Sequence, residues 1–363
     1  MNQKRVILVA GAVVGALSVL LMKAGNPANM GICVACFIRD IAGALGLHRA
    51  EIVQYIRPEV PGFILGSFLV ALASGEFKAR GGSSPLVRFV LGFFVMLGAL
   101  VFLGCPLRMV LRLAGGDLNA LVGLAGFAVG IYVGLQFLRN GFSLGRSSKL
   151  EAVSGYILPV AAVVLLVLLV TVPPFIFFSA EGPGSMHAPW LLALAAGVAV
   201  GILAQRSRLC MAGGIRDLFL IRDPHLFRGF VMIFVVALVF NLAFGGSFKL
   251  GFADQPVAHS DGLWNFLGMV LVGLGSVLLG GCPLRQCILA GEGDADAAVT
   301  FLGMLTGAAF AHNFAIAASP AGVTINGKVA VLVGIITVAA IGYLCIPKAV
   351  TANIKGEKAC PIR

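Results

Sequence analysis

The stretch Gly-Cys-Pro-Leu-Arg occurs twice in this chain, at 104–108 and again at 281–285. Proline suits the first position of a helix, where its missing N–H would lack a partner in any case, so Cys105 and Cys282 are expected to be N-cap residues of two short helices. Unpaired backbone N–H groups and the positive end of the helix dipole then surround each thiol, and such a terminus attracts anions. A second pair of cysteines has the same character. Residues Cys33 to Asp40, CVACFIRD, align without a gap on Cys210 to Asp217, CMAGGIRD. A thiol is a weak hydrogen-bond donor, able to replace part of an oxyanion's water without trapping it as a lysine would. Several such weak sites in series suit conduction better than one strong site.

One offset relates both motifs. The step in residue number from Cys33 to Cys210 equals the step from Cys105 to Cys282. The chain therefore reads as two repeats, 1–178 and 179–363, within one membrane domain. Hydrophobic residues make up 59% of the 363 and charged residues only 11%, which excludes an ordinary soluble protein. Apolar runs near 5–22, 60–76, 86–104, 118–138, 155–178, 188–204, 227–245, 263–281, 295–317 and 327–346 predict ten membrane-crossing helices in an all-α integral membrane protein. Five crossings per repeat invert the second repeat relative to the first, a plan common among secondary transporters, with the solute site where the halves meet. The four cysteine-bearing segments are too short or too broken to span and too apolar to be ordinary loops. They are expected to be re-entrant half-helices, those of Cys33 and Cys105 dipping from outside and those of Cys210 and Cys282 from inside, with the four thiols lining a central path.

The net charge of +11 does not indicate nucleic acid, because the basic residues cluster in alternate connections. Lys4 and Arg5, then Lys78, Arg80 and Arg88, then Arg139, Arg146 and Lys149, then Arg206, Arg208, Arg216, Arg222 and Arg228, and finally Lys348, Lys355, Lys358 and Arg363 obey the positive-inside rule with both termini cytoplasmic. The first apolar run is long for a signal peptide and no small-x-small site follows it, so a retained helix in a bacterial inner membrane is expected.

The remaining chemistry-bearing residues have more ordinary roles open to them. Arg108 and Arg285 either anchor the half-helices or raise the local anion concentration. The adjacent pairs Arg39-Asp40 and Arg216-Asp217 are expected to be structural, held at the membrane surface or paired across the repeats. Gln136 and Asn313, which also match at the repeat offset, are expected to hydrogen-bond between helices or to line the path. Cys36 and Cys287 lack cysteine partners in the other repeat, where Gly213 and Val110 stand, and are accessory. Cys345 and Cys360 are expected to be ordinary exposed or lipid-facing thiols, and His312 a packed, hydrogen-bonded imidazole. The acidic run Gly291 to Asp296 lacks the length and ligand spacing of a calcium loop and is expected to be the solvated end of a half-helix. No P-loop, zinc pattern or catalytic-triad spacing occurs, so neither an enzyme activity nor a cofactor or metal is expected.

The paired cysteine half-helices, both GCPLR motifs and the run GCPLRQCILAGEGDADA from Gly281 to Ala297 resemble the YeeE/YedE membrane protein family over nearly the whole chain, and the last run resembles its selenium-associated branch. The resemblance implies uptake of a small sulfur- or selenium-containing anion, with selenite favoured and thiosulfate close behind, along a narrow path whose cysteines correspond to Cys33, Cys105 and Cys282. Cys210 rests on the internal repeat alone. A cytoplasmic sulfur- or selenium-carrier protein would suit such a chain as a partner. The thiols would act either by hydrogen bonding or by covalent relay. The alternative is a membrane thiol-disulfide oxidoreductase using Cys33 and Cys36.

Overall fold

Prolines set several of the helix boundaries. Pro85, Pro106 and Pro283 each stand in the first turn of a helix. The Pro173-Pro174 pair ends another, so the fifth apolar run stops at Thr171 instead of 178; a proline has no N–H to donate and its ring clashes with the preceding turn. The computed structural model describes residues 3–244 and 248–347, and Lys348, Lys355, Lys358, Cys360 and Arg363 lie outside the described residues. In chain order the helices are α1 Gln3–Lys23, α2 Val34–Ala44, α3 Glu59–Ala73, α4 Pro85–Phe102, α5 Pro106–Ala114, α6 Asn119–Arg139, α7 Ala152–Thr171 and α8 Gly182–Ser185. There follow α9 Trp190–Ser207, α10 Met211–Leu220, α11 His225–Ala243, α12 Gly262–Leu278, α13 Pro283–Gly291, α14 Ala295–Asn313 and α15 Ile325–Leu344. A short antiparallel pair, Arg80–Gly81 against Ser148–Lys149, ties two loops together.

A long helix occupies each of the ten expected positions. Eight stretches among the described residues are long and apolar enough to cross a membrane, three of them counted as a long helix together with the half-helix that follows it. α3, with 15 residues, and α14 are outside that set. The chain is an all-α integral membrane protein. Its rim is apolar: α7 exposes Val153, Ile157, Val160, Val163, Val164, Val167 and Val170, a surface suited to lipid tails and not to water. The centre is built by α4 and α12, which pack on each other and are buried along most of their length.

The helix pairing exchanges under the repeat offset. α6 packs on α12 while α14 packs on α4, and α1 packs on α11 while α3 packs on α9. Individual contacts follow the same exchange. A Cβ at Gly126 would run into the carbonyl oxygen of Phe266. A Cβ at Gly303, the repeat counterpart of Gly126, would run into that of Phe89, the counterpart of Phe266. Small residues let helix backbones approach this closely where no hydrophobic force drives helices together in lipid. α7 and α15 depart from the exchange, since α7 lies on α3 and α13 whereas α15 lies on α4 and α12.

Candidate functional site: two thiol pairs at converging half-helices

The four short helices α2, α5, α10 and α13 have Cys33, Cys105, Cys210 and Cys282 as their N-cap residues, each with extended backbone. At two of them the sulfur is itself the capping acceptor: Cys33 Sγ accepts from the N–H of Cys36 at 3.4 Å, and Cys210 Sγ from that of Gly213 at 3.2 Å. Sulfur accepts weakly, so these caps hold less firmly than serine or aspartate would. The proline-led caps, Cys105 and Cys282, make no side-chain cap bond, which leaves their sulfurs available to other partners.

Those partners are the other two thiols. Cys33 Sγ lies 3.9 Å from Cys105 Sγ, and Cys210 Sγ lies 3.8 Å from Cys282 Sγ. Each pair brings the N-termini of two half-helices together, so two positive dipole ends face one small volume lined by sulfur. All four thiols are almost completely buried, between 0% and 3% exposed. The sequence pattern predicts four thiols along one path; the structure arranges them as two close pairs, one per half of the chain.

Arg108 is held by backbone carbonyls and a sulfur. It is fully buried and donates from Nε to the Asn29 carbonyl at 2.9 Å, from Nη1 to Cys36 Sγ at 3.2 Å and from Nη2 to the Val257 carbonyl at 2.9 Å. Among the described residues its charge meets no carboxylate, leaving a buried cation beside the first thiol pair. Cys36 thus ties α2 to α5 as an acceptor for Arg108. Arg285 differs: its Nη1 lies 3.2 Å from Glu292 Oε1. Cys287 is buried within α13. Cys33, Cys36, Cys105, Cys210, Cys282 and Cys287 are all free thiols.

Several expectations need correction. Gln136 donates to the Tyr132 carbonyl of its own helix at 3.4 Å and bridges no helices, because it sits on a partly exposed face where its own backbone is the nearest acceptor. Asn313 does link two segments, donating to the Leu47 carbonyl at 2.8 Å, but at an exposed helix end and away from the thiols. His312 stacks on His48 at 4.6 Å, and its buried Nε2 has no hydrogen-bond partner among the described residues. Cys345 is buried and disulfide-bonded, not an exposed thiol; Cys360 lies outside the described residues. The acidic run is no solvated end. Asp294 caps α14 and receives Arg80 at 2.8 Å, while Asp296 accepts from the N–H groups of Gly82 and Ser83 and from the Ser83 hydroxyl. Two backbone hydrogen bonds explain the difference, since Lys78 and Arg80 donate their N–H groups to the carbonyls of Glu292 and Gly293 and draw the loop over the carboxylates.

The Arg-Asp pairs are ion pairs between neighbours, neither of them across the repeats. Arg39 binds Asp40 at 2.6 Å and Arg216 binds Asp217 at 2.8 Å. Linear reasoning missed Arg57, which is fully buried, binds Asp40 at 2.7 Å and lies over the rings of Phe37 and Tyr55 at 4.9 and 5.2 Å. It also missed Glu59, fully buried with Oε1 accepting from Asn26 at 2.8 Å and Oε2 unpartnered, the buried pair Arg112 and Asp117 at 2.7 Å, and Glu292, which meets Arg80, Arg208 and Arg285. The Arg57-Pro58-Glu59 triplet directly ahead of an apolar run was the available signal for the first two, since charges there must be paired or exposed.

Comparison with known proteins adds a direction. Residues 206–359 match a protein family described as sulphur transport, a stretch that includes α10, α13 and the second thiol pair. The chain is similar to the thiosulfate transporter TsuA of Escherichia coli strain K12, 30% identical over 108 residues, which is 30% of this chain and 30% of that protein. It is also similar to the thiosulfate transporter TsuA of Spirochaeta thermophila, 33% identical over 100 residues, 28% of this chain and 29% of that protein. The matched region thus spans about a third of the length of each relative.

Proposed function

We propose that this chain is a membrane transporter that takes up a small sulfur- or selenium-containing oxyanion through the two thiol pairs. The observation that carries this reading is the pairing of Cys33 with Cys105 and of Cys210 with Cys282 at converging helix N-termini. Donors and dipoles directed at a point favour an anion there, and weak thiol donors let it leave again. The exchanged helix pairing supports two inverted repeats, 1–178 and 179–363, with ten crossings. The distribution of lysine and arginine supports placing both termini in the cytoplasm of a bacterial cell, with the first pair toward the outside and the second toward the inside. The likeness to two thiosulfate transporters favours thiosulfate, and the 281–297 run favours a selenium oxyanion such as selenite. A sulfur- or selenium-carrier protein on the cytoplasmic side would consume the solute and keep uptake running inward.

The geometry does not favour an oxidoreductase built on Cys33 and Cys36. Cys36 Sγ is engaged by Arg108, and the sulfur facing Cys33 across the half-helices is that of Cys105.

Uptake of labelled thiosulfate and labelled selenite, in cells lacking their own carriers, tests the proposal with wild type, Cys105→Ala and Cys282→Ala at matched expression. The expected result is uptake of one of the two anions that both substitutions abolish. Normal uptake by both variants, or none by the wild type, overturns it.

A further inference from the structure

The two thiol pairs differ in the charge beside them. In the first half, Arg108 follows Cys105 by three residues and is held by carbonyls and a sulfur, with no carboxylate among the described residues. In the second half, Arg285 follows Cys282 by three residues and lies beside Glu292, whose counterpart in the first repeat is Gly115. Glu292 is 5% exposed and its carboxylate is shared. Oε1 takes a hydrogen bond from Arg208 Nη1 at 2.9 Å, and Oε2 lies 3.9 Å from Arg80 Nη2. Arg208 stands two residues ahead of Cys210, so one carboxylate joins the chain leading into one thiol of the pair to the chain leading out of the other.

The contact to Arg285 is a close ion pair without a hydrogen bond, looser than that to Arg208 and closer than that to Arg80. Nη1 is buried and 3.2 Å from Glu292 Oε1, yet it forms no hydrogen bond there or elsewhere among the described residues. Glu292 can therefore leave Arg285 while keeping its well-formed bond to Arg208 and its proximity to Arg80. A guanidinium with an unused buried N–H, carried three residues beyond Cys282 on the same half-helix, is ready for an oxyanion acceptor.

We propose that Glu292 is the release residue of the second thiol pair: a resident carboxylate that sits on Arg285 between turnovers and is exchanged there for the transported anion. The inference rests on the thiol-path reading. The arriving anion takes Arg285 as Glu292 withdraws toward Arg208, and the return of Glu292 expels the anion. Without a resident carboxylate, the buried cation would hold the anion too well for it to leave. The first pair differs because Nε, Nη1 and Nη2 of Arg108 are already engaged by carbonyls and a sulfur, so no carboxylate is needed to displace the anion from it.

The test is thiosulfate uptake as a function of concentration, with thiosulfate binding to the purified full chain by calorimetry, for Glu292→Gln, Arg285→Gln and the double variant. Glu292→Gln is expected to lower the half-saturating concentration and the maximal rate together, each about tenfold, because binding tightens as release slows. Adding Arg285→Gln returns the half-saturating concentration to the neighbourhood of the wild type. A merely bracing Glu292 would lower the maximal rate and leave half-saturation and calorimetric affinity unchanged, and that result overturns the proposal. If Glu292→Gln does not assemble in the membrane, Arg285→Gln alone decides: the remaining carboxylate raises the half-saturating concentration about tenfold, and no change overturns the proposal. Failure of the thiol-path reading is separable. It leaves Cys105→Ala and Cys282→Ala transporting normally, whereas failure of the release proposal leaves those variants inactive and the affinity of Glu292→Gln unaltered.

Discussion

Asp40→Asn and Asp217→Asn are the same substitution at matching positions of the two repeats, and the structure assigns them different costs. Asp40 is fully buried and binds Arg39 at 2.6 Å and Arg57 at 2.7 Å, with both guanidinium groups at most 3% exposed. Charge centres about 4 Å apart interact by about 4 kcal/mol at an effective dielectric near 20, and two such attractions are lost together. The asparagine keeps a carbonyl oxygen as acceptor, so part of the hydrogen bonding survives, but two buried cations remain without an anion. Breaking a buried pair from one side costs about 3–5 kcal/mol, and that range is expected for Asp40→Asn. Among the described residues Asp217 pairs only with Arg216, and the two side chains are 17% and 28% exposed, so water replaces the lost contact and Asp217→Asn is expected to cost about 1 kcal/mol or less. Equilibrium unfolding of the purified protein in mixed micelles of dodecyl maltoside and dodecyl sulfate, followed by helical circular dichroism, measures both. Uptake gives a second readout, because Asp40 lies on α2 and loosening that half-helix displaces Cys33 from Cys105. Costs within about 1 kcal/mol of each other would refute the argument that burial, and not the sequence motif, sets the strength of these pairs.

Oxidation of intact cells with diamide is expected to inhibit uptake and dithiothreitol to restore it, since sulfurs 3.8–3.9 Å apart need move by only about 2 Å to bond; peptide mapping should find Cys33 joined to Cys105 and Cys210 to Cys282. Gly126→Ala and Gly303→Ala should each destabilise the protein by about 1–3 kcal/mol in the mixed-micelle assay, because each added methyl meets a carbonyl oxygen of a facing helix. Cys287→Val, which installs the type of residue found at Val110 in the other repeat, should leave uptake at the wild-type rate, and loss of uptake would bring Cys287 into the path.

Hydropathy and the repeat offset made the long helices and the four half-helices legible, because lipid demands runs of about 20 apolar residues and proline declares a helix start. The N-cap placement of Cys105 and Cys282 followed from that chemistry alone. The pairing of thiols did not, since nothing linear says whether Cys105 meets Cys33 or Cys282; only the convergence of α2 with α5 decides it. Arg57 and Glu292 were hidden for a related reason. Each acts through partners remote in sequence or on another element, and a charged residue beside a helix end looks the same in sequence whether water or a buried counter-ion satisfies it. Gln136 shows the converse: a polar residue in an apolar run suggested a bridge between helices, and its own backbone proved to be the nearer acceptor.

The departures from symmetry between the halves are themselves informative. Here the first half is held by contacts that do not readily exchange: Arg108 on backbone carbonyls, Arg39 and Arg57 on buried Asp40, Arg112 on buried Asp117. The second half is held by partly exposed ion pairs around Glu292 and Asp217, with Arg208 49% exposed and Arg80 36% exposed. Exposed pairs are worth little and re-form easily, whereas buried ones break only at high cost. The ion pairs around the half containing Cys210 and Cys282 are therefore expected to break and re-form more readily than those of the first half. Under the release proposal this contrast sets how readily each thiol pair gives up the anion, while the gradient and the consumption of the solute inside set the direction of net passage.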